Sequence, residues 1–132
     1  MPHMINVSRF VLLVASVAVF PPGHAAEPRV TGIFSNLQFG TEDLAGVEMY
    51  IVPSRGNYYA TVVCAEGGPG VPETVKLTVS GSSISFVVPA NSASNCPAGA
   101  VFTGQISVNG INGAFSGSEL RLFLNRGKGY WQ

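Results

Sequence analysis

Residues 100–124 alternate apolar and polar side chains and contain two sequences typical of tight turns. The first is Asn109-Gly110, the strongest short signal for a β-hairpin, because a type I′ turn needs a positive φ at both central residues. The second is Gly117-Ser118. We therefore predict three antiparallel strands over this segment, with the large apolar side chains of all three on one face.

The two turns also predict how these strands pair. The expected partners are Val108 with Ile111, Ile106 with Gly113, Gly104 with Phe115, Phe115 with Leu120, Gly113 with Leu122, and Ile111 with Leu124. A slip of one residue would bury the polar side chains, so the alternation specifies the register strongly. Gly104 and Gly113 would face large side chains, where glycine permits sharp curvature or cover by an aromatic ring, as a closed sheet requires. The alternative to a closed, curved sheet is that these strands form an ordinary half-buried sheet edge of a β-sandwich.

The remainder of the sequence shows no helical period of apolar residues. Alternating segments predict five further strands, at residues 31–39, 47–52, 58–64, 74–79 and 84–88. In the first of them we expect Ile33, Leu37 and Phe39 to share the inner face. Eight short strands with short connections predict an all-β fold, a small antiparallel up-and-down β-barrel. A two-layer β-sandwich is the alternative.

Residues 1–26 have the pattern of a cleaved secretory signal peptide. Arg9 supplies a positive charge, and the apolar run at residues 10–20 is too short to span a bilayer. Prolines and a glycine end the run at residues 21–23, and small residues follow. We therefore predict an exported protein, periplasmic or extracellular, whose single domain is residues 27–132. A membrane anchor is the less favoured interpretation.

Cys64 and Cys96 are the only two cysteines in the sequence. An even number of cysteines behind an export signal predicts one disulfide. Closing a loop of this length would stabilise the fold by about 3–4 kcal/mol in the chain-entropy model. Two free thiols are the alternative.

Few catalytic groups are available after the signal segment. Both histidines, His3 and His24, lie within it, which removes histidine-based nucleophilic catalysis and histidine metal sites from the domain. A carboxylate pair, such as Glu42 or Asp43 with Glu66, is the remaining acid–base option. We predict a protein that is not an enzyme and that needs no cofactor or metal. A basic stripe with interleaved aromatic residues is missing from the sequence, so nucleic-acid binding is disfavoured.

Strands that alternate in direction place the longer connections, at residues 40–46, 66–72, 89–99 and 117–118, at one end of the barrel. The carboxylates expected at that rim are Glu42, Asp43, Glu66 and Glu73. The cations expected at the other end are Arg29, Arg55, Arg126 and Lys128. Such a field steers partners of opposite sign. The leading hypothesis is a binding protein for a basic secreted protein, for example an inhibitor of a secreted hydrolase or toxin. Charges that simply avoid the core would give a similar pattern.

Tyr50 and Tyr59 are expected on the outer face of the sheet, where exposed tyrosines are common anchors of interfaces. Cross-strand pairs that only stabilise the sheet are the alternative. If the tyrosines are anchors, the protein could be a structural envelope protein, which is a third hypothesis. Tyr130-Trp131 is expected to fold over the closed end of the barrel.

Gly32-Ile33-Phe34 near the first strand, with Arg121 or Arg126 late in the chain, resembles the calycin pattern of Gly-x-aromatic and a C-terminal arginine. Lipocalins and avidins belong to the calycins. The resemblance implies a β-barrel that carries a small apolar ligand in its interior, which is the second functional hypothesis. As a whole, the chain is similar to small exported bacterial β-barrel proteins of unknown function.

Overall fold

The fold is a single antiparallel β-sheet. The computed structural model describes residues 16–23 and 26–132, and within them the regular elements are all strands. They are β1 (Gly32–Ser35), β2 (Gln38–Phe39), β3 (Leu44–Ser54), β4 (Asn57–Gly67), β5 (Glu73–Ser80), β6 (Ser83–Val87), β7 (Val101–Ile106), β8 (Gly110–Phe115) and β9 (Leu122–Arg126). The predicted all-β class is confirmed. Residues 1–15 and 24–25, most of the predicted signal segment with its cleavage site, lie outside the described residues.

The sheet closes on itself because β1 pairs with β9 on one side and with β3 on the other. Strands β1 and β3 to β9 therefore form an eight-stranded barrel in chain order, and β2 pairs with β3 beyond the end of β1. The predicted up-and-down barrel is confirmed. The mouth is the end with the connections at residues 36–43, 68–72, 88–100 and 116–121, and the base carries the turns at residues 55–56, 81–82 and 107–109.

The predicted first strand is interrupted at Asn36, between β1 and β2. The Asn36 amide donates to the Val47 carbonyl at 3.0 Å, and Asn36 Oδ1 accepts from the Val47 amide at 2.7 Å. Gly46 has a φ of 121°, and a Cβ there would lie 2.7 Å from the Asn36 carbonyl oxygen. This close approach shifts the alternation of inward and outward side chains by one residue between β1 and β2.

The inner face predicted for the first strand was therefore partly wrong. Phe34 is completely buried, whereas its neighbour Ile33 lies on the outer wall. Leu37 is buried as expected, but in a separate small cluster with Leu44 and Ala65. Phe39, at the end of β2, is 64% exposed. The pairing with β3, rather than the alternation alone, decides which side chains enter the core.

The register within residues 100–124 was predicted correctly for one hairpin and wrongly for the other. β8 and β9 pair Gly113 with Leu122 as expected. β7 and β8 instead pair Gly104 with Gly113, two residues away from the prediction. The turn is wider because Ser107 Oγ accepts hydrogen bonds from the amides of Asn109 and Gly110, at 3.2 Å each. A displacement of two residues leaves the side chains of β7 and β8 on their predicted faces, since the period of a strand is two. Val108 and Leu120, each of which was predicted to pair on the inner face, instead lie in the connections and are 74% and 68% exposed.

Aromatic rings fill the centre of the barrel. The Phe86 and Phe102 rings stack with centroids 5.1 Å apart, and Phe115 meets Phe102 edge-on at 5.2 Å. The Phe102 ring lies against the paired glycines of β7 and β8, so that a Cβ on Gly113 would come 2.5 Å from Phe102 Cζ. Glycine covered by an aromatic ring was the predicted device for curvature. The barrel interior is therefore packed with side chains.

Arg126, the last residue of β9, lies across the base. Its Nη1 donates to the Thr31 carbonyl at 3.1 Å, and its Nη2 donates to the carbonyls of Arg29 at 2.5 Å and Ser107 at 3.0 Å. The guanidinium carbon lies 4.5 Å from the centroid of the Phe34 ring. Burial and then the charge of Arg29 lower the pKa of Arg126, which nevertheless stays cationic because arginine starts so far above neutrality. Arg126 thus joins the N-terminal segment, β1 and the turn between β7 and β8.

We expect Arg126→Ala to lower the free energy of unfolding by about 2 kcal/mol, because three carbonyls, two of them partly buried, lose a charged donor and the Phe34 ring loses its cation–π contact. Urea denaturation followed by far-ultraviolet circular dichroism measures the change. Arg121→Ala is the matched control, since Arg121 is exposed and donates only to Asn112 Oδ1. Equal losses in the two variants would contradict the role given to Arg126.

Candidate functional site

The mouth collects exposed carboxylates. Glu42 and Asp43 lie in the tight turn after β2, which is closed by a 2.8 Å hydrogen bond from the Gly40 amide to the Asp43 carbonyl. Glu66, near the end of β4, pairs with Ala45 close to the start of β3. All three acidic side chains are exposed. They belong to elements that meet at one end of the barrel, so their charges lie on the same surface.

Glu73 lies at the same end but holds a loop in place. It is half-buried at the start of β5, and its Oε2 accepts a hydrogen bond from Ser92 Oγ at 2.6 Å. Ser92 Oγ lies 2.6 Å from Ser94 Oγ, which accepts from the Cys96 amide at 3.3 Å. Glu73 therefore orders the connection between β6 and β7, whereas the side chains of Glu42, Asp43 and Glu66 make no hydrogen bond within the described residues.

A disulfide fixes this part of the mouth. Cys64 of β4 and Cys96 of the connection between β6 and β7 are bonded, with their Cα atoms 5.2 Å apart, as predicted. Gly70 passes beside the bridge, and its amide donates to the Cys64 carbonyl at 3.1 Å. A Cβ on Gly70 would lie 2.6 Å from that oxygen and 2.9 Å from the Asn95 nitrogen. The mouth loops are thus held in contact around the disulfide.

A pocket of about 320 Å³ opens at the mouth. Its apolar lining includes Val47, Ala65, Phe115, Leu120 and Leu122. Glu66 is the carboxylate in this lining. The pocket therefore offers an apolar surface with a negative charge at its edge, which suits a side chain with an apolar stem and a cationic head.

Exposed apolar side chains also lie at the mouth. Leu120 is 68% exposed, Phe39 is 64% exposed and Val71, in the connection between β4 and β5, is 58% exposed. Their exposure was not expected, because Phe39 and Leu120 were predicted to face the core. Phe39 instead ends β2 with an exposed side chain, and Leu120 lies in the connection before β9. The signal that identifies them is their position at the ends of alternating runs beside turn residues. Apolar side chains gathered at one exposed surface are typical of interaction sites.

The cations expected at the other end belong to the base and its surroundings. Arg55 forms the turn between β3 and β4 with a φ of 50°, and Arg29 and Arg126 meet through the hydrogen bond given above. The separation of charge is incomplete, however, because Glu27 also lies at the base, 3.9 Å from the position of a Cβ on Gly81. Lys128 is exposed in the segment that follows β9.

The predicted outer tyrosines do not lie side by side. Tyr50 of β3 is 53% exposed and pairs with Ile33 and Thr61. Tyr59 of β4 is half-buried and pairs with Val52 and Lys76. Trp131 does not cover the base as expected, since it lies on the outer wall beside Tyr50 and is 63% exposed.

The described residues contain no cluster of three or more acidic, cysteine or histidine side chains arranged to hold a metal ion. In the same part of the chain, no helix reaches the length and apolarity needed to cross a membrane. Comparisons with protein-family models, curated proteins and solved structures found no match.

Proposed function

We propose that this chain is an exported, non-enzymatic binding protein that engages a basic protein through its mouth. An inhibitor of a secreted hydrolase or toxin is the form of this function that suits the surface best. The observation that carries the proposal is the presence of exposed carboxylates and exposed apolar side chains at the same end of the barrel. Carboxylates steer a cationic partner, and apolar side chains hold it once it has docked.

The disulfide supports the export part of the proposal. Cytosolic reductants keep thiols reduced, so a structural disulfide is typical of proteins in an oxidising compartment. The bond between Cys64 and Cys96 is integral to the mouth, since it holds one of the loops that line the pocket. Export to the periplasm or beyond would therefore be a condition for the binding surface to form.

Ligand carriage inside the barrel is the second candidate. It is favoured by the closed eight-stranded barrel, which is the architecture that the resemblance to the calycins implies. Since the Arg126 guanidinium lies over the Phe34 ring, Arg126 rather than Arg121 would be the C-terminal arginine of that pattern. The packed rings of Phe86, Phe102 and Phe115 count against it, because they occupy the space that an interior ligand would need. We therefore place the binding event at the mouth.

The test is capture of cationic secreted hydrolases, with lysozyme as the first probe. We expect the unmodified protein to bind a member of this panel, and the triple variant Glu42→Gln, Asp43→Asn, Glu66→Gln to associate at least about tenfold more slowly at low salt. Added salt should shrink the difference, because it screens exposed charges. Surface plasmon resonance measures both association and dissociation rates.

A matched pair of single variants distinguishes the effect of a charge at the mouth from the effect of the net charge of the protein. Glu66→Gln and Glu27→Gln remove one exposed carboxylate each, at the mouth and at the base respectively. Only the former should slow association. Leu120→Ser, which keeps the charge, should instead speed dissociation. The proposal fails if no cationic hydrolase binds, if capture ignores salt, or if Glu27→Gln has the same effect as Glu66→Gln.

A further inference from the structure

The C-terminal segment, residues 127–132, folds back across the outer wall of the barrel. The Gly127 amide donates to the Ile33 carbonyl at 3.1 Å, and the Tyr130 amide donates to Glu48 Oε2 at 2.7 Å. Gly129 lies so close to Glu48 that a Cβ there would be 2.9 Å from Glu48 Oε1. The side chain of Glu48 in β3 is therefore the attachment point of this segment.

A second pocket, of about 400 Å³, lies between the C-terminal segment and the wall. We call it the tail pocket, and its lining residues are Ile33, Glu48, Tyr50, Gly129, Trp131 and Gln132. Tyr50 comes from the barrel wall and Trp131 from the C-terminal segment, and each is more than half exposed. The Tyr130 ring meets Trp131 edge-on, with centroids 4.8 Å apart, which orients the indole.

The charge in the tail pocket is negative. Glu48 uses Oε2 for the Tyr130 amide, and within the described residues Oε1 has neither a hydrogen bond nor an ion pair. The lining contains no lysine or arginine. A cation that enters this pocket meets two aromatic side chains and an uncompensated carboxylate, whereas an anion is repelled by that carboxylate.

We propose that the tail pocket binds a quaternary ammonium group. Such a cation donates no hydrogen bonds, so the single free carboxylate oxygen and the aromatic and aliphatic lining suffice to hold it. A primary ammonium is compact and strongly hydrated, so it gains less than a quaternary ammonium from exchanging water for aromatic side chains. The group could belong to a free choline-like solute or to a choline headgroup of a lipid, since both present the same chemistry. This site is separate from the mouth and does not depend on the function proposed there.

Trp131 is the only tryptophan in the sequence, so its fluorescence reports on the tail pocket alone. We expect a saturable change on titration with choline or tetramethylammonium, and none with sodium at the same ionic strength. Tyr50→Ala and Glu48→Gln should each weaken binding about tenfold. Tyr50→Phe keeps the ring and should retain binding. Glutamine at position 48 keeps an acceptor for the Tyr130 amide, so this variant tests charge rather than attachment of the segment.

Tyr59→Ala, a tyrosine of the neighbouring strand outside the pocket, is the control and should leave choline binding unchanged. Vesicles of phosphatidylcholine compared with vesicles of phosphatidylglycerol distinguish the two sources: binding to the former assigns a lipid headgroup, and binding to soluble choline alone assigns a free solute. The proposal is overturned if sodium and choline act alike, if a neutral disaccharide replaces choline as the saturating ligand, or if Tyr59→Ala weakens binding as much as Tyr50→Ala.

Discussion

Replacing both Cys64 and Cys96 by alanine is expected to lower the free energy of unfolding by about 3–4 kcal/mol. The two residues are 32 positions apart, and the closed loop contains the whole hairpin of β5 and β6. Without the bond, the unfolded chain regains the freedom that this closure removes. For a domain of this size the melting temperature should fall by roughly 15–25 °C, which differential scanning calorimetry measures.

Reduction of the unmodified protein provides an independent control, because it breaks the bond without changing the sequence. It should reproduce the loss of stability in the double alanine variant. It should also weaken capture of a cationic hydrolase, since Asn95 and Pro97 of the bridged loop line the mouth pocket. A melting temperature that hardly changes on reduction, or reduced protein that binds as tightly as oxidised protein, would contradict the role given to the disulfide.

The barrel and the disulfide could be predicted because both follow from simple rules. A period of two in apolar residues with no helical period leaves only strands, and short connections make those strands consecutive neighbours. When a chain has only two cysteines, a disulfide has only one possible pairing. These rules depend on patterns repeated along the chain, so an error at one residue does not disturb them.

The errors arose where a single local contact decides the geometry. Nothing in the sequence of residues 31–39 shows that Asn36 will bond to Val47 and shift the alternation between β1 and β2. In the same way, the Ser107 hydroxyl widens a turn that Asn109-Gly110 alone would make tight. Side-chain to backbone bonds of this kind compete with regular strand pairing and are hard to anticipate from composition.

The candidate sites were predictable to different degrees. The position of Glu42, Asp43 and Glu66 at one end of the barrel could be predicted, because it follows from the alternating direction of consecutive strands. The structural role of Glu73 was missed, since it requires knowing that Ser92 lies within 2.6 Å. The tail pocket was missed entirely, because the C-terminal segment has no periodic pattern and is held to the wall by single hydrogen bonds to Ile33 and Glu48.

We expect Gly113→Ala to lower the free energy of unfolding by about 3 kcal/mol, at the upper end of the cost of overpacking a core. The new Cβ would lie 2.5 Å from Phe102 Cζ and 2.7 Å from the Thr103 carbonyl oxygen, so both a ring and the backbone must move. Gly104→Ala should cost less, because its nearest neighbours, Ile111 and Phe102, are side chains. Gly127→Ala, with open space around it, is the neutral control.

The combination of Gly113→Ala with Phe102→Leu tests whether ring and glycine form one unit. Leucine removes the ring atom nearest to position 113, so the double variant should be more stable than the sum of the two losses predicts, by about 1 kcal/mol. The relief stays partial because the Thr103 carbonyl is unaffected. If urea denaturation shows that the stability losses of the two single variants simply add, then the packing of the Phe102 ring does not depend on the glycine at position 113. The curvature that closes the barrel would then have to come from the twist of the strands alone.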